Sequence, residues 1–154
     1  MKWVYDDGGR SKYYKGTAGD CFVRATAIAT GLDYKYLYDL VNEYAKKEHV
    51  GCRKRGVSNA RAGVYSRTAK KILADLGWKW TATTKVGQGV SMHLVEDEVP
   101  SGTVICNISK HFVCVIDGVI HDTYNSSEKQ YFDQYGNLAI NDRRAVYGYW
   151  TKEA

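Results

Sequence analysis

The chain has 154 residues, of which 44% are hydrophobic and 25% charged, and its formal net charge is +5. This length supports one domain with a buried core and is too short for two domains of ordinary size. An ordinary hydrophobic content and a single proline argue against a disordered or low-complexity chain. Because no apolar run is long enough to span a membrane and the first residues lack the apolar core of a signal peptide, we expect an intracellular protein without a membrane partner.

The cysteines have no spacing that is typical of metal binding. Without an export signal, they are expected to be free thiols rather than disulfides. No two of them are separated by the short intervals of structural zinc sites, so we expect neither a metal nor a cofactor. The four residues are Cys21, Cys52, Cys106 and Cys114.

Helical periodicity dominates the first half of the chain, after a short strand predicted at Lys2 to Tyr5. Capping residues and terminal glycines place the helix boundaries. The predicted helices run from Cys21 to Thr30 with Gly31 at the end, from a cap at Asp33 to about His49, and from Ser66 to Leu76 with Gly77 at the end.

The second half consists of short β-branched and aromatic runs separated by turn residues. Ser91 is predicted to cap a short acidic helix from Met92 to Glu98. Helices followed by an antiparallel meander indicate one domain of the α+β class over residues 1–154. Strands are predicted at Trp78 to Thr83, Thr103 to Ser109, His111 to Ile116, Val119 to Tyr124, Gln130 to Asp133, Asn137 to Ile140 and Ala145 to Thr151.

The positive charge is concentrated in a basic segment, residues 46–71. It contains nine basic residues and one acidic residue, Glu48, so the remainder of the chain is net negative. Such a segment suits an anionic partner, either an acidic protein surface or nucleic acid, although a solvated loop has the same composition. The partner-binding residues proposed within it are Arg53, Lys54, Arg55, Arg61 and Arg67.

Cys21 is the first residue that suggests chemistry, because it stands at a predicted helix start. The unpaired N–H groups and the partial positive charge there favour the reactive thiolate. Asp20 is predicted to be the N-cap, with its side chain accepting from the N–H groups that follow. A buried structural cysteine fits the same pattern, so a nucleophile needs a second group to support it.

That second group comes from a predicted hairpin. Asp117-Gly118 between two β-branched runs is typical of a two-residue type I′ turn. In that register His111 and Asp122 are diagonal neighbours on one face, roughly 7 Å apart or somewhat less between Cβ atoms, whereas His121 lies on the other face. A carboxylate that holds one imidazole nitrogen leaves the other free to deprotonate a thiol.

Four pieces of the chain, in this order, resemble the papain-like cysteine peptidase superfamily, in particular the compact bacterial branch that includes the leader-cleaving peptidases of bacteriocin exporters. The resemblance implies a papain-like fold, with the first helix carrying the cysteine and the helices packed on an antiparallel sheet. It also implies a peptide or protein substrate. The pieces are Asp20-Cys21 opening a helix, Ser101 to Ile105 leading a strand, Lys110 to Val115, and His121-Asp122.

In that family Cys21 would be the nucleophile, His111 the general base and then acid, and Asp122 the orienting carboxylate. The family pattern also has a glutamine upstream of the cysteine, where this chain has Lys15. The resemblance therefore implies an oxyanion hole made of the Cys21 backbone N–H, completed by Lys15, Thr17 or another group.

The leading interpretation is a cysteine hydrolase that cleaves a peptide, isopeptide or other amide bond through an acyl-enzyme. Two alternatives remain open. One is a binding protein of the same fold without catalysis, which engages nucleic acid or an acidic partner through the basic segment. The other is an acyltransferase that uses the same triad and passes the acyl group to an amine.

Overall fold

The computed structural model describes residues 1–49 and 56–153. These residues contain three α-helices, one short 3₁₀ helix at Arg10–Lys12 and eleven strands. The helices are α1 (Cys21–Thr30), α2 (Tyr34–Ala45) and α3 (Ser66–Asp75). The strands are β1 (Lys2–Tyr5), β2 (Trp78–Ala82), β3 (Thr84–Lys85), β4 (Gly89–Val90), β5 (Met92–His93), β6 (Thr103–Ile108), β7 (His111–Ile116), β8 (Val119–Asp122), β9 (Lys129–Phe132), β10 (Leu138–Asn141) and β11 (Ala145–Lys152).

Seven of the described strands form one sheet in the order β1-β8-β7-β6-β11-β2, with β5 also paired to β11. The α+β class is confirmed, but the expectation of a wholly antiparallel sheet is wrong, because β1 pairs with β8 in parallel. Parallel neighbours need a long connection, and all the helices lie between these two strands in the chain. The pairs β3-β4 and β9-β10 form separate two-stranded sheets.

The main sheet is covered on both faces. In β7, Phe112 and Cys114 belong to a buried cluster that includes residues of all three helices. Val113 and Val115 belong to a second cluster on the opposite face, which Leu94 helps to close. The predicted alternation of this strand is therefore confirmed, and α1 packs directly on β7.

The helix starts and terminal glycines follow the predictions. Asp33 caps α2 by accepting from the Tyr36 N–H at 3.2 Å, and Gly31 ends α1 in the left-handed conformation. However, α2 ends at Ala45 rather than near His49. Beyond this end, the Glu48 carboxylate accepts a hydrogen bond from the distant Ser58 N–H at 2.6 Å.

The predicted helix from Met92 to Glu98 is wrong. Its first two residues form β5, which pairs with β11, and the residues after it make isolated turns. The Ser91 hydroxyl donates to the Thr83 carbonyl at 3.0 Å instead of capping a helix. Burial of Leu94 in the second cluster outweighs the local helical preference. Every strand predicted from the sequence lies within two residues of its observed bounds.

Candidate active site

Cys21 occupies the first position of α1, as predicted, and its side chain is partly buried. Its backbone N–H lies in the first helical turn, where amides have no intrahelical acceptor. The segment before it runs close to the loop 56–65, since a Cβ atom at Gly19 would lie 3.1 Å from the Ala62 carbonyl oxygen. The fold thus places this thiol between a helix start and a second chain segment.

The Asp117-Gly118 hairpin has the predicted register. Its two turn residues have φ values of 47° and 79°, both positive as a type I′ turn requires, and Cys114 lies opposite His121. His121 is directed elsewhere, with its Nδ1 3.9 Å from the Asp6 carboxylate. His121 therefore does not take the place of His111, the base proposed from the sequence.

His111 and Asp122 are in direct contact. The Nε2 atom of His111 lies 2.6 Å from Oδ2 of Asp122, and both side chains are buried. The two residues stand at the ends of β7 and β8, and there they reach the residues of α1. The carboxylate holds the ring through Nε2 and leaves Nδ1 for another partner.

The thiol of Cys21 lies beside the same imidazole, and both residues line one cleft. Burial opposes ionisation of the thiol. The interaction with His111 and its charge, with the backbone N–H of Phe112 and the charge of Arg24, nevertheless hold the pKa of Cys21 below its ordinary value. The three residues predicted to act together are thus adjacent in the structure.

The imidazole is held in its charged form. Burial opposes that form as well, yet the hydrogen bond to Asp122 and the interaction with the Cys21 thiol raise the pKa of His111 to about 9. The thiol and the imidazole thus each favour the charged form of the other. The Tyr124 hydroxyl lies 3.5 Å from Nδ1 of the same ring and borders the pair on its open side.

A buried chain of alternating charges continues from Asp122 into the protein. Arg24 donates from Nη1 to Asp122 Oδ1 at 2.9 Å and from Nε to Asp20 Oδ1 at 3.0 Å. Arg10 lies 3.3 Å from the other oxygen of Asp20, which also accepts the hydroxyl of Tyr34. Each carboxylate in the chain has a guanidinium beside it, so neither is buried alone.

Asp122 stays ionised in this chain. Burial would raise its pKa, but the hydrogen bond and charge of His111, the Thr123 N–H at 2.7 Å and the charge of Arg24 hold the pKa below its ordinary value. An ionised Asp122 is what keeps the adjacent imidazole positive.

The prediction that Asp20 caps α1 with its side chain is wrong, since that side chain makes no capping hydrogen bond. Its backbone carbonyl accepts the first helical hydrogen bond, from the Arg24 N–H at 3.0 Å. The carboxylate instead joins Arg10 and Arg24, because a buried charge needs charged partners more than a helix start needs a cap. These partners also compensate its negative charge next to the thiol.

Cys21 and His111 line a cleft of about 700 Å³. One wall is the loop 56–65, where Asn59 and Gly63 exchange two backbone hydrogen bonds of 2.8 and 2.9 Å that stiffen it. The other wall includes Lys110 and Phe112. This volume is sufficient for a short segment of peptide.

Lys15 and Thr17, predicted to complete an oxyanion hole, line a neighbouring cavity of about 420 Å³ on the other side of Ala18. Both are exposed, and neither is among the described residues that line the cleft at Cys21. The structure therefore brings Cys21, His111 and Asp122 together and leaves Lys15 and Thr17 apart from them.

The basic segment is only partly described. Arg53, Lys54 and Arg55 lie outside the described residues. Arg61 is exposed in the loop that forms one wall of the cleft, and Arg67 is exposed in the first turn of α3. Neighbours of Arg61 and Arg67 in the chain, Ala62 and Ser66, line the cleft, whereas the two arginines themselves do not.

Arg24 is the main residue that the sequence interpretation missed. A signal for it exists, because an arginine on the apolar face of a small-residue helix needs a carboxylate, and Asp20 stands four positions before it. The loop 56–65 carries no comparable signal, since its polar composition is that of any surface connection.

Comparison with protein-family models, with curated proteins and with solved structures found no match for this chain. Within residues 1–49 and 56–153, none of the helices has the length and apolar character needed to cross a bilayer. The same residues contain no group of three or more histidine, cysteine, aspartate or glutamate side chains arranged to hold a metal ion.

Proposed function

We propose that this protein is a cysteine hydrolase of papain-like fold that cleaves a peptide, isopeptide or other amide bond. The observation that carries the proposal is the buried His111–Asp122 pair at 2.6 Å, with the Cys21 thiol beside the imidazole in a cleft and its pKa lowered. A nucleophile, a base and an orienting carboxylate in mutual contact are the parts that covalent acyl transfer needs.

In the first half of the reaction, the Cys21 thiolate attacks the carbonyl carbon of the scissile amide and forms a carbon–sulfur bond. The negative charge moves to the carbonyl oxygen, next to the backbone N–H at the start of α1. Collapse of this intermediate breaks the carbon–nitrogen bond. The His111 imidazolium gives its proton to the departing amine, which leaves a thioester on Cys21 and a neutral imidazole.

In the second half, His111 takes a proton from water as the water oxygen attacks the thioester carbon. The carbon–sulfur bond then breaks, the carboxylic acid product is released, and Cys21 is again a thiolate beside an imidazolium. Asp122 holds the ring through Nε2 and stabilises its charged form in both halves. Arg24 holds the other oxygen of that carboxylate.

The test uses p-nitrophenyl acetate, an activated ester that does not require a matched peptide cleft. We expect a burst of p-nitrophenolate and one acetyl group on Cys21 by peptide mapping, with turnover lost in Cys21→Ser and strongly reduced in Asp122→Asn. Circular dichroism of both variants serves as the control for folding. Equal turnover by wild type and Cys21→Ser, or acetylation spread over several residues, would contradict the proposal.

Hydrolysis and acyl transfer share this thioester, so products distinguish them. Adding a primary amine such as glycine methyl ester to the acetylated enzyme gives acetate if water is the acceptor and the N-acetyl amide if the amine is. We propose hydrolysis, and exclusive formation of the amide would instead assign an acyltransferase.

The exposed Arg61 and Arg67 near the cleft favour a second candidate, a binding protein that engages nucleic acid or an acidic protein through the basic segment. Fluorescently labelled single-stranded RNA tests it directly. Tight binding that falls steeply with added salt and survives Cys21→Ser, in the absence of ester turnover, would assign this function instead.

A further inference from the structure

The charged side chains among the described residues that line the cleft are all basic. Among the described residues that line it, none is an aspartate or glutamate. Two are permanently positive, Arg24 and Lys110. Arg24 is already bound to two carboxylates, Asp20 and Asp122, so its charge is compensated within the protein. Lys110 is therefore the cation that the cleft offers to a ligand.

Lys110 is exposed, and no carboxylate of the described residues forms an ion pair with it. Among the described lysines, Lys35 is bound to Asp39 at 2.9 Å and Lys46 to Glu43 at 2.8 Å, whereas most of the others have no such pair. Lys110 differs from those others in that it lines the cleft. The ammonium of Lys110 is thus left for a group outside the protein's own structure.

The backbone at this position does not favour a lysine. Lys110 lies in the two-residue connection between β6 and β7 and has a φ of 55°. Glycine adopts this left-handed conformation without the steric cost that a Cβ atom adds, so the lysine is held there against the local backbone preference. A strained residue beside a reactive pair points to a role for its side chain.

The neighbouring lining groups supply no competing charge. Asn107, on the strand before the connection, and Ser66 are neutral, and the amide of Asn107 lies 3.5 Å from the Ser66 hydroxyl. On the opposite wall, Ala62 and Gly63 present no charged side chain. An anionic ligand meets only neutral or positive groups along the described cleft.

Lys110 also has a defined position relative to the chemistry. It directly precedes His111, which must lie within hydrogen-bond reach of the departing amine in order to protonate it. Both residues line the cleft, so the part of the substrate that lies beside His111 also comes near Lys110. A carboxylate on that part of the substrate is the complementary group.

We propose that the substrate carries a carboxylate on the leaving-amine side of the scissile bond and that Lys110 binds it as a specificity determinant. This inference rests on the proposed hydrolase function. Two sources supply the same carboxylate: an aspartate or glutamate side chain directly after the scissile bond, or the free carboxyl terminus of a peptide cut near its end.

The experiment uses a synthetic peptide mixture of mixed sequence, prepared once with free and once with amidated carboxyl termini, with cleavage sites read by mass spectrometry. Wild type is expected to favour acidic residues after the scissile bond, or free termini, by about fivefold over their neutral counterparts. The preference should vanish in Lys110→Met, persist in Lys110→Arg and turn toward basic residues in Lys110→Glu. Lys79→Met, an exposed lysine of β2 away from the cleft, is the matched control.

Each outcome is decisive. A preference that disappears on amidation assigns the terminal carboxylate, and one that survives it assigns the side chain. Cleavage without an acidic preference, or a preference that Lys110→Met leaves intact, overturns the inference while the hydrolase stands. Absence of peptide cleavage together with absence of p-nitrophenyl acetate turnover overturns the hydrolase and this inference with it. Absence of peptide cleavage by a wild type that still turns over the ester through Cys21 overturns this inference alone.

Discussion

The cysteine at the start of α1 and the two cysteines inside the sheet have pKa values shifted in opposite directions. Cys114 lies in the middle of β7, three residues after His111, and burial, with the charges of Asp6 and Asp122, raises its pKa to about 12. Burial likewise raises the pKa of Cys106 in β6. The pKa of Cys21 is lowered, although burial opposes ionisation there too.

Burial therefore does not explain why the pKa of Cys21 is lowered while that of Cys106 and Cys114 is raised. The groups beside Cys21 explain it. Cys21 has an imidazolium and a backbone N–H beside it at a helix start, whereas Cys114 has no cation that offsets its burial. The same Asp122 acts in opposite directions on the two thiols. It raises the pKa of Cys114 directly and, by keeping His111 positive, supports the thiolate of Cys21.

The largest expected effect comes from replacing each of these two cysteines by alanine in turn. Cys21→Ala should abolish p-nitrophenyl acetate turnover and leave the midpoint of urea unfolding nearly unchanged. Cys114→Ala should keep turnover and cost about 1 kcal/mol of stability through the small cavity that it leaves. Stopped-flow absorbance and urea titration measure both. Loss of turnover in Cys114→Ala, with its fold intact, would show that the comparison between the thiols is wrong.

The buried charge chain should dominate stability. Arg24→Met leaves Asp20 and Asp122 without their shared partner and is expected to cost about 3–5 kcal/mol, measured by urea unfolding. The matched control is Arg143→Met, which removes an exposed arginine 3.0 Å from Glu98 and should cost about 0–1 kcal/mol. Equal effects of the two substitutions would mean that the buried chain adds nothing beyond a surface ion pair.

Removal of the imidazole should make Cys21 resemble Cys114. In His111→Gln the burial of the thiol persists without the cation, so its pKa should rise and its alkylation by iodoacetamide at neutral pH should slow about ten- to hundredfold. His121→Gln changes the other histidine of the hairpin, which lies near Asp6, and should leave the rate unchanged. Similar alkylation rates in wild type and His111→Gln would show that His111 does not lower the pKa of Cys21.

The smallest effect concerns stability against pH. Folding raises the pKa of His111 from 6.5 to about 9, so its stabilising contribution is complete below pH 6.5 and is lost as the pH rises through about 9. The lowered pKa of Cys21 acts in reverse, with a contribution that is complete above pH 9.0 and is lost as the pH falls through the lowered value. In the wild type the two slopes oppose each other.

Cys21→Ser removes one slope and keeps the other, since Asp122 still holds His111. Its free energy of unfolding should fall on the order of 1–2 kcal/mol as the pH rises from 6.5 to 9, while that of the wild type changes less. Urea titrations at closely spaced pH values measure both. Parallel profiles for the two proteins would refute the thiolate–imidazolium pair.

Local signals in the sequence were sufficient to predict the contact of His111 with Asp122. The Asp117-Gly118 turn determines its own register, and that register alone places His111 beside Asp122. The helix start at Cys21 follows from small apolar residues and a terminal glycine. That the three act as a catalytic triad stays a prediction.

Long-range contacts were beyond the sequence interpretation. The parallel pairing of β1 with β8 joins segments more than one hundred residues apart, which no local pattern encodes. The cap predicted at Asp20 failed because Arg10, on a different segment, competes for the carboxylate. The Met92 to Glu98 helix failed because β11 pairs with its first residues. In each case a tertiary partner outweighed a local preference.

The partners of Cys21 lower its pKa, whereas burial raises the pKa of the two sheet thiols, Cys106 and Cys114. The most direct test of this difference is the rate of iodoacetamide labelling of each cysteine in the folded protein from about pH 5 to 10, resolved by peptide mass spectrometry. We predict that labelling of Cys21 reaches its plateau below pH 9.0 while Cys106 and Cys114 stay unlabelled until the protein unfolds. A Cys21 rate that still rises through pH 9.0, or that is no faster than that of Cys114, would contradict this difference.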